Sequence, residues 1–281
     1  MDVDAAILGA LRLARCPGLG TRTAHRAVQA AGGPSAFARG CPPGVPLDPE
    51  VVRALATREL EGSVLREMER ATREGWTFVH IDDPRFPPAL RALSVPPLVI
   101  TVRGAVVCLS RPTVAVVGSR NPTGYGVRLA SELAGGLAAL GVVIASGLAR
   151  GIDTAAHRAA LDAGGATVAV MGTGPDRIYP RENSRVASAI AAAGALVTEF
   201  PPGAGPVPDH FPQRNRIIAG LADAVVVVEA ARKSGSLITA GFAGGLGAFA
   251  AGLASVGALR PAIQQMFLDA PAKKAVHGLS P

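Results

Sequence analysis

From Thr113 onward, short runs of β-branched and other apolar residues alternate with alanine-rich segments of helical length. Each run is continuously apolar, which is typical of strands buried on both faces of a parallel sheet. The intervening segments are long enough for crossover helices, so the pattern predicts a doubly wound α/β fold with a mostly parallel sheet. The predicted strands are residues 113–117, 142–146, 167–171, 195–199 and 224–229.

The first 70 residues or so differ, because they predict helices broken at proline- and glycine-rich clusters. The segments WTFVHIDD and PLVITV then predict strands joined by proline-rich turns, which we expect to pack onto the sheet edge. We therefore divide the chain into four parts. These are a small helical domain (1–75), a linker with edge strands (76–112), the main α/β domain (113–240) and a Gly/Ala-rich tail (241–281).

An uncharged stretch at 237–259 is long enough to span a bilayer, although six glycines dilute it. Its larger apolar residues recur at steps of four and three, which is the stripe of a packed helix. They are Phe242, Leu246, Phe249, Leu253 and Val256. We therefore predict a core or interface helix and no membrane association.

Charge and cysteine usage narrow the function classes. The chain of 281 residues carries 28 Lys+Arg against 21 Asp+Glu, a formal charge of +7 that favours anionic partners. Its three cysteines form no CxxC pair and its histidines have no metal-ligand spacing, so neither a disulfide framework nor a metal site is expected. The N-terminus lacks the pattern of a secretion signal, and we expect a cytoplasmic protein.

The predicted strands are followed by small residues, by Arg or Lys, or by both. Ligands of an open parallel sheet bind beyond the carboxyl ends of its strands, where helix N-termini also offer N–H groups. The loops therefore predict an anion-binding floor, although an ordinary βα turn explains any one of them alone. They are GSRNPTGYG (118–126), SGLARGID (146–153), GTGPDRIYPREN (172–183), FPQRNRIIAG (211–220) and EAARKSGSLIT (229–239).

Signatures of catalysis and of cofactor binding are missing from these loops. Neither GxGxxG with its following acidic residue nor GxxxxGK[ST] occurs, and no GxSxG elbow is present. We expect Asp153 to cap a helix and His157 to be a core or capping residue, while Glu199 and Glu229 end strands without an evident acid partner. No catalytic residue and no cofactor is predicted.

The segment LARCPGLGTRTAHRAV (13–28) matches a helix–hairpin–helix pattern. In such a hairpin Gly18 and Gly20 would direct backbone N–H groups at a nucleic-acid phosphate without reading sequence. The alternative is an ordinary turn between two helices.

Six motifs in order, from VAVVGSRNPTGYG to VVVVEAARKSGSLITA, resemble those of the DprA/Smf family of DNA-processing proteins over roughly residues 10–240. The resemblance implies a Rossmann-like domain preceded by a SAM-like or helix–hairpin–helix domain. It also implies a non-enzymatic, homodimeric protein that binds and protects incoming single-stranded DNA and loads RecA recombinase during natural transformation.

Carried over motif by motif, the resemblance assigns phosphate contacts to the strand-end loops. The residues are Gly118, Ser119, Arg120, Ser146, Gly147, Arg150, Arg181, Arg214, Asn215, Arg216, Ser234, Gly235 and Ser236. Aromatic residues near these loops are candidates for base stacking. They are Tyr125, Tyr179 and Phe211, with Phe200 close by.

After Ala240 the sequence departs from the family's pattern, and we expect the winged-helix domain to be absent. An alternative function is a nucleotide-processing hydrolase of a related Rossmann-like group that acts on nucleoside monophosphates. Those enzymes carry a PGGxGT turn with a nearby Glu, whereas this chain has SGSLIT. A third interpretation, based on the altered sequence after Ala240, is that the chain is a truncated and unstable remnant of such a protein.

Overall fold

The computed structural model describes residues 4–230, 235, 236, 239, 241, 242 and 249–252. Its strands are β1 Thr77–His80, β2 Val99–Gly104, β3 Thr113–Gly118, β4 Val143–Ser146, β5 Thr167–Val170, β6 Ala195–Thr198, β7 Ala224–Val228 and β8 Phe249–Gly252. Its α-helices are α1 Ala5–Arg15, α2 Thr21–Ala31, α3 Pro49–Leu55, α4 Arg58–Arg73, α5 Pro88–Arg91, α6 Gly124–Ala139, α7 Ile152–Asp162, α8 Ser184–Ala193 and α9 His210–Leu221. Short 3-10 helices cover Pro34–Phe37, Val106–Ser110 and Arg181–Asn183.

The described strands form one mostly parallel sheet in the order β1-β2-β6-β5-β4-β3-β7-β8. Strands β3 to β8 pair in parallel, whereas β1 and β2 add antiparallel pairings at one edge. The predicted doubly wound α/β fold is therefore confirmed, and all five predicted strands are present. From β3 the chain continues through β4, β5 and β6 to one side and returns to β7 on the other, so the switch point of the sheet lies between β3 and β7.

The tail prediction needs correction at one place. Residues 241 and 242 are helical, as predicted, but Phe249–Gly252 forms β8, which pairs in parallel with β7. Without β8, the outer side of β7 would leave backbone N–H and C=O groups unpaired, and a strand satisfies them whatever side chains it carries. Residues 243–248 and 253–281 lie outside the described residues. Within the described part, no helix has the length and apolarity that a membrane crossing requires.

The N-terminal helices share one hydrophobic core with the sheet. Leu11 and Val64 from the helices belong to the same buried cluster as Val79, Ile100 and Val197 from strands. A polar contact adds to this, because the guanidinium of Arg15 donates to both carboxylate oxygens of Glu67, at 3.0 and 2.8 Å, and to the carbonyl of Glu199 at 3.0 Å. The helices are thereby fixed at the edge formed by β1, β2 and β6.

We expect the helical part and the sheet to unfold together, because the core is continuous between them. Trp76, the single tryptophan, is buried at the junction of α4 and β1, so its fluorescence reports on this contact. Thermal unfolding followed by Trp76 fluorescence and by far-ultraviolet circular dichroism should give coincident midpoints. Two separated transitions would instead show that residues 1–75 fold as an independent domain.

Candidate functional site

A cleft of about 300 Å³ opens at the carboxyl end of β3. A smaller pocket of about 50 Å³ adjoins it and shares Arg120, Phe211 and Arg214 with its lining. The structure therefore brings the loops after β3, β4 and β5 together with the first turn of α9. Predicted site residues that line the cleft or the pocket are Gly118, Ser119, Arg120, Gly147, Arg150, Tyr179, Phe211, Arg214, Asn215, Gly235 and Ser236.

Three of the predicted arginines are exposed at this edge. Arg120 lies over the ring of Phe211, with 5.4 Å between its Cζ atom and the ring centroid. Arg150 forms an ion pair with the exposed carboxylate of Glu182. Arg181 is exposed at the start of the 3-10 helix Arg181–Asn183, and its side chain has no ion pair among the residues that the structure describes. These guanidinium groups are accessible to an anion.

Arg214, by contrast, is buried beneath the loops, with 4% of its surface exposed. Its Nη1 donates to the carbonyls of Gly147 and Val170, at the ends of β4 and β5. Burial lowers the pKa of Arg214 to about 10, although the nearby Asp153 carboxylate opposes that shift. Arg214 therefore stays cationic near neutral pH while its hydrogen bonds hold two strand ends.

Asp153 organises the same loop from the other side. Its carboxylate accepts from the N–H groups of Gly147 at 3.1 Å and Ala149 at 3.3 Å. The expectation that Asp153 caps a helix is therefore wrong, because α7 begins one residue earlier with Gly151 at its N-cap, and Asp153 bonds backward to the loop. Burial raises the pKa of Asp153, and the charge of Arg214 counteracts this.

Several predicted phosphate ligands use their polar groups within the protein. Ser146 is fully buried and donates to the Val116 carbonyl at 2.6 Å, and the N–H of Gly147 is taken by Asp153. Asn215 donates to the Gly235 carbonyl at 3.1 Å, while Arg216 pairs with Glu199. These four residues, and Arg214 with them, support the cleft through these contacts, and their direct contact with phosphate stays a prediction.

Helix geometry gives the reason why Arg214 and Arg216 differ. Two residues apart on α9, their side chains leave the helix about 200° apart, so the two cannot face the same cleft. Arg216 is directed to the buried carboxylate of Glu199, whose pKa is raised by burial against the opposing charge of Arg216. Direct phosphate contact by Gly118, Ser119, Arg120, Arg150 and Arg181 stays a prediction.

The aromatic candidates divide by exposure. Tyr179, 45% exposed, contacts Phe211 with 5.9 Å between the ring centroids and a tilt of 47°. Phe200 is buried and stacks on His210 at 4.1 Å, so it offers no face to a base. Tyr125 is exposed at the start of α6. The exposed Tyr179 and the half-buried Phe211 thus form an aromatic pair next to Arg120.

The remaining predicted residues lie at the margins of the cleft or away from it. Gly235 and Ser236 are helical and line the cleft, whereas Ser234 lies outside the described residues. Gly18 and Gly20 lie in the exposed turn between α1 and α2, an arrangement that a helix–hairpin–helix motif and an ordinary turn share. Their contact with phosphate stays a prediction. Within the described ranges, no cluster of His, Cys, Asp and Glu could hold a metal ion.

Two carboxylates at this edge have partners that the sequence did not predict. Glu182 holds Arg150, and Glu229 accepts from the backbone N–H of Thr123 at the start of α6. The helix N-terminus that we expected to face a ligand anion therefore holds a carboxylate of the protein itself. The signal available in the sequence is the position of Glu229 as the last residue of the predicted strand 224–229, at the edge of the sheet where ligands bind.

Known proteins are similar to this chain in sequence and in structure. A family model described as DNA recombination-mediator protein A matches residues 77–251. Protein Smf of Escherichia coli is 48% identical over 164 residues, covering 58% of this chain and 44% of that protein. DNA processing protein DprA of Bacillus subtilis is 42% identical over 168 residues, covering 59% and 57%. The chain spans about half the length of the curated relatives it matches.

Two solved structures extend the comparison. DNA processing protein A from Streptococcus pneumoniae superposes with a TM-score of 0.70 at 31% identity, covering 98% of this chain and 95% of that one. DNA processing protein A from Helicobacter pylori, described for its single-stranded DNA binding mode, gives 0.61 at 28% identity, with 69% and 96% covered. The match of the family model ends inside β8, eleven residues beyond Ala240, after which the sequence departs from the family's motifs.

His157 is a buried histidine whose protonation state can be tested. It is 0% exposed, and its Nδ1 lies 2.7 Å from the Thr167 hydroxyl, which itself donates to the Ile144 carbonyl. The hydroxyl therefore accepts from His157, which places the proton on Nδ1. Burial is the main cause that lowers the pKa of His157 to about 3, and the charge of Arg214 contributes to the same shift.

Between pH 3 and the ordinary histidine pKa of about 6.5, the unfolded chain therefore binds a proton that the folded protein does not. We expect the free energy of unfolding to fall with decreasing pH across this window by about 1.4 kcal/mol per unit more in the wild type than in His157→Asn. Urea titrations at several pH values measure this difference. Parallel pH profiles for the two proteins would contradict it.

Proposed function

The chain belongs to the DNA recombination-mediator protein A family, and on that premise we propose that it binds single-stranded DNA at the strand-end cleft. The observation that carries the proposal is the pairing of exposed Arg120 and Arg150 with the aromatic pair Tyr179–Phe211 at one edge of the sheet. Cations serve the phosphates and aromatic faces serve the bases, which is the combination that single-strand binding requires.

We assign phosphate contact to accessible groups of the strand-end loops. Arg120, Arg150 and Arg181 offer guanidinium donors suited to phosphate oxygens. The hydroxyl of Ser119 accepts from the N–H of Asn121 at 3.2 Å, which leaves its own hydrogen to donate. Gly118 lies beside it, and a Cβ atom there would lie 1.9 Å from the Val228 carbonyl oxygen, so glycine keeps β3 and β7 close at the cleft floor.

The preference for a single strand follows from the stacking faces. Tyr179 is about half exposed, and a base can reach it only when it is not paired within a duplex. A flexible backbone also follows a curved row of donors that a stiff duplex cannot.

We extend the proposal to the cellular role. The description of the family as a recombination mediator supports the loading of RecA onto the bound strand. From the resemblance of the motifs we further propose protection of incoming DNA during natural transformation and a cytoplasmic location. We also propose a homodimer. No role in catalysis is assigned to any residue of the cleft.

The test is a fluorescence-anisotropy titration of an unstructured oligonucleotide, with matched duplex as competitor, at several salt concentrations. We expect salt-sensitive binding that the duplex displaces poorly. Equal competition by duplex, or no binding by folded protein at low salt, would refute the proposal. Nucleation of RecA filaments on the same oligonucleotide, with and without the protein, tests the mediator role.

Arg120→Ala should weaken binding to all single-stranded sequences. The slope of log K against log salt should become shallower by about 0.7, the value for one lost single-strand phosphate contact. Arg66→Ala, which removes an exposed arginine from α4 far along the chain, is the matched control and should leave the slope unchanged. The melting temperature should change in neither variant, and an unaltered slope in Arg120→Ala would remove Arg120 from the interface.

Tyr179→Ala should weaken binding by about 1–3 kcal/mol, because it removes one stacking face. Tyr179→Phe keeps the ring and its contact with Phe211, so its affinity should stay near that of the wild type. Both constants come from the same anisotropy assay at fixed salt. Equal losses in the two variants would show that the hydroxyl, rather than the ring, makes the contact.

A further inference from the structure

Glu229, the residue directly after β7, has an unusual backbone and an unusual partner. Its φ of 53° lies in the left-handed region that residues other than glycine seldom adopt. Its carboxylate reaches back 106 residues in sequence, where it accepts from the backbone N–H of Thr123 at 2.8 Å and from the Thr123 hydroxyl. The same hydroxyl accepts from the N–H of Gly126 at 3.1 Å. The carboxylate thus lies at the first turn of α6.

Space for the carboxylate is provided by Gly126. A Cβ atom at this position would lie 2.5 Å from both Cδ and Oε1 of Glu229, so any other residue would displace the carboxylate. The hydrogen bonds from the Thr123 side chain and backbone hold the pKa of Glu229 below its ordinary value, so it is ionised near neutral pH. Glu229 therefore carries a full negative charge. The space left by Gly126 and the hydrogen bonds from Thr123 hold this charge at the first turn of α6.

The position matters because of the sheet topology. Glu229 follows β7 and contacts the loop after β3, and the switch point of the sheet lies between these two strands. In doubly wound folds the phosphates of a nucleotide bind at this crevice, on the N-terminus of the helix after the first strand. Here the anion at that helix is the carboxylate of Glu229.

We propose that Glu229 is a specificity-determining residue of the cleft, which occupies the phosphate position at the switch point and so excludes free nucleoside diphosphates and dinucleotides. A pyrophosphate placed there would meet a fixed like charge and would find the donors of Thr123 already used. DNA phosphates instead bind at the part of the cleft where Arg120 and Arg150 are exposed. This second part rests on the proposed function, whereas the exclusion of nucleotides does not.

Two variants remove the carboxylate without straining the backbone. Glu229→Gly and Glu229→Asn both tolerate the left-handed conformation, and neither carries a charge to α6. Glu182→Gln is the matched control, because it removes a carboxylate beside Arg150 at the same edge but leaves the start of α6 untouched. Melting temperatures establish that each variant is folded. Because two different substitutions at 229 remove the carboxylate, the test still stands when one of the two variants does not fold.

The first measurement is isothermal titration calorimetry with ADP and with NAD⁺. We expect no saturable binding by the wild type or by Glu182→Gln. Both variants at 229 should bind saturably, with a dissociation constant about tenfold or more below the highest ligand concentration at which the wild type shows no saturation. Binding of ADP by the wild type as tight as by the variants would overturn the proposal. So would folded variants at 229 that gain no affinity.

The anisotropy assay with an oligonucleotide is the second measurement. Opening the first turn of α6 should add one phosphate contact, so the salt slope should steepen by about 0.7 in Glu229→Gly. If the variants gain ADP while no protein binds DNA, the exclusion of nucleotides stands and the proposed function fails. If DNA binds but ADP affinity is the same in all proteins, the proposed function stands and the role of Glu229 fails.

Discussion

The buried guanidinium of Arg214 is the constraint on which the cleft depends. A cation removed from water must find hydrogen-bond acceptors and a counter-charge, and here the carbonyls of Gly147 and Val170 and the nearby carboxylate of Asp153 supply them. Asp153 in turn holds the N–H groups of the loop after β4. Satisfying one buried charge therefore fixes the ends of two strands and the loop between β4 and α7.

Arginines in this protein consequently have two different roles that composition alone does not separate. Arg214 and Arg216 are held inside by carbonyls and carboxylates, whereas Arg120 and Arg150 lie at the surface of the same edge. Buried cations make the scaffold rigid, and exposed cations remain free to exchange a carboxylate or a water for a phosphate. The net charge of the chain overstates the charge that a ligand meets.

Much of the fold could be predicted because strands buried on both faces require continuous apolar runs, and these define β3 to β7. The strand β8 was missed, because its pairing uses backbone groups while its Gly- and Ala-rich sequence fits a helix equally well. At the site, the sequence indicated which loops converge. It could not indicate that Arg214 points inward, since this depends on the rotation of α9 over the sheet.

If the cleft binds DNA as proposed, a fixed carboxylate and a buried cation at one edge explain how a widespread fold serves a polymer. A small nucleotide needs an enclosed site with donors at the helix N-terminus, and in this chain Glu229 occupies the two donors of Thr123 at that terminus. What remains is an open, rigid edge with accessible guanidinium groups and an aromatic pair at the surface. Such an edge holds a short ligand weakly, because each exposed contact contributes little alone, but a strand that makes several contacts at once is retained.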